Sequence, residues 1–276
     1  MPSRAAVRRQ QQLKVRRRRA VVGAGAVVLV IALTVGVAAA LRGDGDDRPT
    51  LDASAPSTEA AATTTTLAPY TSIIAEGVVP VVDVFEAPDA AAPMVTFENP
   101  VQRVDGDGNG YEVPLVLLVD QQQGEWLNVL LPIRPNGSTG WIRASDVQLT
   151  PTNYHITVEL SAHQITVYDG ETMVLQEPVG VGVGNTPTPG GRYFIKELLQ
   201  TPDPGGPYGP FAYGLSGFSE ILTEFNGGPG DIGIHGTNNP AGIGTDVSNG
   251  CIRMSNEGIT TLTGLLPLGT PVEIIA

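Results

Sequence analysis

Two residues carry most of the chemistry this sequence could perform. Cys251 is the only cysteine among 276 residues, and His235, one of three histidines, precedes it by 16 positions. A thiol needs a nearby imidazole or cation to lose its proton near neutral pH. The two residues lie in Asp231-Ile-Gly-Ile-His235-Gly236-Thr237 and, after a Gly/Asn-rich loop, in Ser248-Asn249-Gly250-Cys251-Ile252-Arg253-Met254. His235 ends an apolar strand pattern set by Ile232 and Ile234, which would hold its ring rigidly. Gly236, Gly242, Gly244 and Gly250 would let the chain return so that thiol and imidazole meet. Gly250 would also admit a substrate to backbone N–H groups able to hold an oxyanion. The competing reading, a small buried hydrophobe, is disfavoured by Gly250 and Arg253 on either side of the cysteine. Arg253 is either a grip for a substrate carboxylate or a structural partner of Asp231 or Glu257. His155 and His163 read as exposed polar residues without a role.

These residues need a scaffold, and the pattern around them is one of strands. Ile156, Val158 and Leu160, then Ile165 and Val167, alternate with polar positions and predict two half-buried strands. Asp169-Gly170 predicts a hairpin turn into a strand over 173–183. A strand over 192–196 follows, then a long Gly-, Pro- and aromatic-rich loop over 201–231 of the kind that is usually functional. Ser255 is the expected N-cap of a helix over 256–265, and 271–275 closes the sheet. Upstream, short apolar runs near 78–85, 111–119, 126–131 and 140–142, with a turn at Pro135-Asn136-Gly137, suggest a small barrel. Asp105-Gly-Asp107-Gly-Asn109-Gly110 matches the opening of a calcium loop, but Val116 stands where the bidentate Glu belongs. Positive φ at Asn109-Gly110 in a hairpin turn explains the same residues without a metal.

Over 153–276 the sequence resembles the L,D-transpeptidase catalytic domain family, also called YkuD. Its signature of His-Gly, a loop and Ser-x-Gly-Cys-x-Arg is met by His235-Gly236 and Ser248-Asn249-Gly250-Cys251-Ile252-Arg253. Many members carry a histidine where this chain has Asn249, so His235 is left as the sole imidazole. The resemblance implies a cysteine-dependent acyltransferase with Cys251 as nucleophile and His235 as proton donor and acceptor. Gly236, Ser248, Asn249, Gly250 and Arg253 would support them, Ser248 by hydrogen bonding around the thiol or His235. The implied reaction is peptidoglycan 3→3 cross-linking, or attachment of another acceptor amine, through a thioester on a tetrapeptide stem. The implied partners are donor and acceptor stem peptides, and no metal or organic cofactor is implied. An L,D-carboxypeptidase would share the same acyl-enzyme. A sortase-like transpeptidase is the nearest other enzyme, although its cysteine and arginine come from separate strands. A cell-wall-binding scaffold is the non-enzymatic alternative. The stretch from Trp126 through Gly140-Trp141 to Asp146-Val147 resembles the end of a bacterial SH3-like domain over 71–150. If that unit only recruits, 152–276 should fold and react alone.

The rest of the chain bears on location. Eight of the 16 basic residues lie within positions 1–19, and residues from 20 onward carry a formal charge of −20. Such an acidic body excludes nucleic acid as a partner, because nothing neutralises phosphates. Positions 20–41 hold no charge and one polar side chain, Thr34. As a helix they span roughly 33 Å, enough for a bilayer core of about 30 Å. This run is longer than a signal-peptide core, which favours an uncleaved anchor over a cleaved leader, with 1–19 cytoplasmic and the body on the cell-wall side. Positions 42–70, rich in Thr, Ala and Pro, read as a disordered tether. The expected architecture is therefore mostly β: an N-terminal transmembrane helix, a small SH3-like β-barrel over 71–150, and a β-sandwich-like catalytic domain over 152–276 with one short helix.

Overall fold

The computed structural model describes residues 70–104, 108–224 and 228–276. The expected basic segment, membrane anchor and all but the last residue of the tether lie outside the described residues. Among the described residues no helix is long and apolar enough to cross a membrane.

The upstream part contains β1 (Ser72–Gly77), β2 (Val81–Val84), β3 (Val95–Glu98), β4 (Val101–Val104), β5 (Gly110–Val113), β6 (Val116–Gln123), β7 (Trp126–Leu130), β8 (Thr139–Arg143) and β9 (Val147–Thr152). Five of them form an antiparallel sheet in the order β8-β7-β6-β1-β9, while β2–β3 and β4–β5 are separate hairpins. The expected strand over 111–119 is split at Pro114, which has no N–H to give a ladder. Likewise, only Val81–Val84 of the run over 78–85 is a strand, and β1 precedes it. In the acidic turn, Gly108 takes the positive φ (82°) while Gly110 already opens β5. Residues 105–107 lie outside the described residues.

The downstream part contains β10 (Tyr154–Glu159), β11 (Gln164–Asp169), β12 (Thr172–Pro178), β13 (Val181–Gly182), β14 (Gly191–Gln200), β15 (Phe211–Phe218), β16 (Asp231–His235), β17 (Asp246–Ser248), β18 (Ile252–Arg253), α1 (Asn256–Thr263) and β19 (Pro271–Ile275). Its main sheet runs β12-β11-β10-β19-β14-β15-β16-β18, with β13–β17 as a parallel pair of its own. Among the described residues this part is mostly β with one short helix, as expected. The hairpin turn at Asp169-Gly170 is present, with Gly170 at φ 60°. Ser255 caps α1 by accepting the Gly258 N–H at 2.8 Å. Ile259 and Leu262 bury the apolar side of α1 in the core, and Tyr213 Oη of β15 donates to the Leu262 carbonyl at 3.0 Å.

The expected loop over 201–231 is the main correction. It contains β15, eight residues long and mostly buried. Its glycines hid it from composition, yet the packing requires them. A Cβ on Gly214 would lie 2.5 Å from Glu197 Oε1, and one on Gly217 would lie 2.3 Å from Tyr193 Cε1. Here glycine permits close approach of the neighbouring strand's side chains rather than a turn.

Strand β14 is a wall shared by both parts. Tyr193 and Ile195 point into the downstream core, whereas Phe194, fully buried, lies in the upstream core with Leu117, Leu127 and Ile142. Period-two alternation therefore ties the two parts through one strand. Asn153 alone separates β9 from β10, and Arg192 of β14 pairs with Asp120 of β6. The idea that 152–276 is self-sufficient does not fit a strand whose Phe194 needs the other part's core. Truncating Phe194 to Ala should lower the unfolding free energy by about 3–5 kcal/mol in urea titration, with tryptophan fluorescence from the upstream part and circular dichroism shifting together.

Candidate active site

The site is built by one short parallel pairing. Ile234 pairs with Ile252 and His235 with Arg253. Side chains alternate along a strand and paired positions share a face, so the register sorts every residue nearby. Ile232, Ile234, Ile252 and Met254 go to the core, each at most 2% exposed. Asp231, His235, Cys251 and Arg253 take the other face and line one cleft of about 170 Å³ together with Tyr208 and Ser248. In that register Cys251 and His235 are offset by two residues across adjacent strands. Their Cα atoms are then roughly 8 Å apart, a span that the two side chains can bridge. Gly233 lies between Asp231 and His235 on this face, where a Cβ would stand 2.6 Å from the Tyr213 carbonyl oxygen.

His235 is 4% exposed. Its Nδ1 is 2.6 Å from the Gly236 carbonyl oxygen, which can only accept, so Nδ1 carries the proton and Nε2 keeps its lone pair. Tyr208 lies against the ring at 4.7 Å between centroids. Gly236 must be glycine for this geometry, since a Cβ would stand 2.3 Å from Asn256 Oδ1. That same oxygen accepts the Thr237 N–H at 2.8 Å and fixes the chain after the strand. Burial pulls the imidazole pKa down to about 4; the Arg253 charge adds to this, and the Gly236 carbonyl opposes it. His235 is therefore a neutral base at neutral pH.

Cys251 is half-buried. Burial pushes its thiol above the ordinary value and the Asp231 carboxylate adds to this, while a backbone hydrogen bond at Gly233 and the Arg253 cation pull the other way. The resting pair is thus thiol and neutral imidazole rather than thiolate and imidazolium. The loop before the cysteine is set by Gly250, at φ 116°, and by Ser248. Ser248 Oγ donates to the Cys251 carbonyl at 2.5 Å and accepts the Gly250 N–H at 3.1 Å. The expectation that Ser248 bonds to the thiol or to His235 is corrected: it shapes the backbone. The Gly250 amide, offered by the sequence for an oxyanion, is already taken by Ser248. Asn249 is exposed at the cleft mouth.

Asp231 goes not to Arg253 but to Lys196, whose Nζ is 2.9 Å away and which is 5% exposed. Among the described residues no carboxylate lies within ion-pair distance of Arg253, so the strut to Asp231 or Glu257 is not formed. The guanidinium instead faces the cleft with its Nε buried and unpaired. Lys196 was missed by sequence reasoning, although a lysine inside the apolar run Tyr193-Phe194-Ile195 was a signal of a buried ion pair. His163 was missed too: its Nε2 is 2.8 Å from Asp246 at the start of β17, the strand leading to the cysteine loop.

The cleft of this mostly β unit thus gathers a thiol, a neutral imidazole and an arginine guanidinium. Residues 153–274 match the model of the YkuD family, the L,D-transpeptidase catalytic domain. The chain is similar to the YkuD proteins of Bacillus licheniformis and Bacillus subtilis, both named as L,D-transpeptidases, at 40% identity over 121 residues. The match spans 44% of this chain and 65% of each of those proteins. Among solved structures, an L,D-transpeptidase from Mycobacterium smegmatis is similar at 14% identity and a TM-score of 0.38, over 71% of this chain and 99% of that one.

The buried imidazole makes stability depend on pH. Its pKa is about 4 when folded and 6.5 when free, so the unfolded chain binds the extra proton in between. Stability should fall as pH drops through that window, by up to about 3 kcal/mol. In His235→Asn this part of the loss should vanish, so the variant's melting temperature should decline less than the wild type's between about pH 7 and pH 4. Iodoacetamide should test the thiol directly. Alkylation of Cys251 should keep accelerating beyond the ordinary thiol value of 9.0 instead of levelling near neutrality.

Proposed function

We propose that this protein is a peptidoglycan L,D-transpeptidase that forms 3→3 cross-links through a thioester on Cys251. The observation that carries the reading is the shared cleft: one thiol, one neutral imidazole and one arginine with no carboxylate partner among the described residues, all on the face set by β16 and β18. The match of 153–274 to the L,D-transpeptidase catalytic domain supports the substrate class. In the proposed reaction, His235 Nε2 takes the thiol proton as sulfur attacks the carbonyl that joins a diaminopimelate-type residue to the terminal D-Ala of a tetrapeptide stem. The tetrahedral adduct collapses, the C–N bond breaks, and the imidazolium returns the proton to the departing D-Ala amine. A side-chain amine of a second stem then attacks the thioester, loses its proton to His235 and releases the thiol. Arg253 holds a carboxylate of the donor stem through paired hydrogen bonds. We further propose that the upstream β part is an SH3-like unit and that positions 20–41 anchor the protein in the membrane, with 70–276 on the wall side. The strand–turn–strand of β7 and β8 with Trp126 and Trp141 supports the first, and the arginine-rich head with its uncharged apolar run supports the second.

Incubation with a tetrapeptide stem should add to the intact protein the mass of the stem less D-Ala, and Cys251→Ala should add nothing. Label retained in that variant would refute the nucleophile. Dimeric products joined through two diaminopimelate-type residues are expected; tripeptide alone would instead mark an L,D-carboxypeptidase. Arg253→Lys should slow acylation roughly ten- to hundredfold, the worth of a charge-assisted contact of about 1.5–3 kcal/mol. Amidating the stem carboxylate should weaken the wild type but cost the variant little more, because the partner is already lost. Equal penalties in both proteins would remove the carboxylate-binding role.

A further inference from the structure

One wall of the cleft is not secured by the transpeptidase segment alone. It is formed by Ser219 and Leu222, which follow β15, and by Gly230, which directly precedes Asp231. The wall is folded on itself: Ser219 N–H donates to the Gly230 carbonyl at 2.8 Å, and Ser219 Oγ accepts the Leu222 N–H at 3.0 Å. Gly230, at φ 79°, is pressed so closely on the Leu222 carbonyl that a Cβ would stand 2.0 Å from it. What remains are outward carbonyls and the end of β15, and these are claimed by the turn between β7 and β8.

Arg134 donates to the carbonyls of Ser219 at 2.7 Å, Pro229 at 2.8 Å and Leu222 at 3.3 Å. Its guanidinium lies 4.8 Å from the Phe218 ring centroid. Asn136 completes the clamp, donating to the Phe218 carbonyl at 2.8 Å and accepting the Phe218 N–H at 2.9 Å. A planar fork with five donors can satisfy several carbonyls at once, which a lysine cannot. Both residues lie upstream of 153, where the family match begins. On the reaction proposed above, we infer that Arg134 and Asn136 are positioning residues: they fix one wall of the cleft from outside the catalytic segment, so that binding of the stem peptide depends on the upstream part. Neither touches Cys251 or His235; they act through Ser219, Leu222 and Gly230.

The test compares the full chain with Arg134→Ala, Arg134→Lys and Asn136→Ala. Three readouts are the KM and kcat for acylation by a tetrapeptide stem, alkylation of Cys251 by iodoacetamide, and hydrogen exchange of the amides from Phe218 to Leu222. In Arg134→Ala, KM should rise about tenfold or more, since several charge-assisted contacts are lost, while iodoacetamide, which needs no wall, should react within about twofold of the wild-type rate. Amide exchange in the wall should accelerate, Arg134→Lys should recover only part of the binding, and Asn136→Ala should show the same KM effect in milder form. An unchanged KM, or a loss that iodoacetamide shows equally, would overturn the inference. If the wild-type chain takes no acyl group from the stem, the transpeptidase reading fails, and exchange then decides the clamp: faster exchange in either alanine variant supports it, and unchanged exchange in both overturns it.

Discussion

Everything at the site depends on the register between β16 and β18. Two paired positions, Ile234 with Ile252 and His235 with Arg253, decide which side chains reach the core and which reach the cleft. A slip of one residue would send Cys251 and Arg253 inward and expose Ile252 and Met254. The register is held from both sides. The isoleucines and Met254 are packed against β15 and α1, and the Arg253 backbone exchanges hydrogen bonds with Gly180 at 2.7 and 2.8 Å. Chemistry and core packing are thus opposite faces of the same strands, and neither can be altered without the other.

The electrostatics follow from that placement. Lining a partly closed cleft desolvates both groups, which disfavours the charged form of each. Imidazole falls and thiol rises, which keeps the proton on sulfur. Arg253 pulls both groups down, so a carboxylate docked on it would leave the imidazole a stronger base when substrate is present. Lys196 lies buried behind the cleft and pairs with Asp231, the carboxylate that helps to keep the proton on the Cys251 thiol. Glu197, beside it, receives Tyr111 Oη at 3.1 Å and faces Arg103 at 3.8 Å, a second polar link to the upstream part.

Much of this was legible in the sequence, and the failures have physical causes. Cys251, His235 and Gly250 could be read because chemistry restricts them to few residue types, and the alternation of Ile232 and Ile234 announced the strand that carries the histidine. Ser248 was read for the wrong atoms: its position beside the thiol was clear, but its hydrogen bonds to backbone depend on the loop's path. Strand β15 was hidden because Gly214 and Gly217 serve close approach of Glu197 and Tyr193, which lie on another strand. The clamp of Arg134 and Asn136 was read only as a turn, since sequence spacing of more than 80 residues gives no sign of which carbonyls they meet. Local pattern predicts elements; contacts between elements remain out of its reach.

The central claim is that the resting site holds a neutral imidazole, protonated on Nδ1, next to a protonated thiol. Nitrogen-15 NMR of histidine-labelled full chain measures this directly. The account predicts that at neutral pH His235 shows a protonated Nδ1 held by the Gly236 carbonyl and a bare Nε2, and gains its second proton only near pH 4. A doubly protonated ring at neutral pH, reverting to neutral in Cys251→Ala, would mean a preformed thiolate–imidazolium pair and would contradict it.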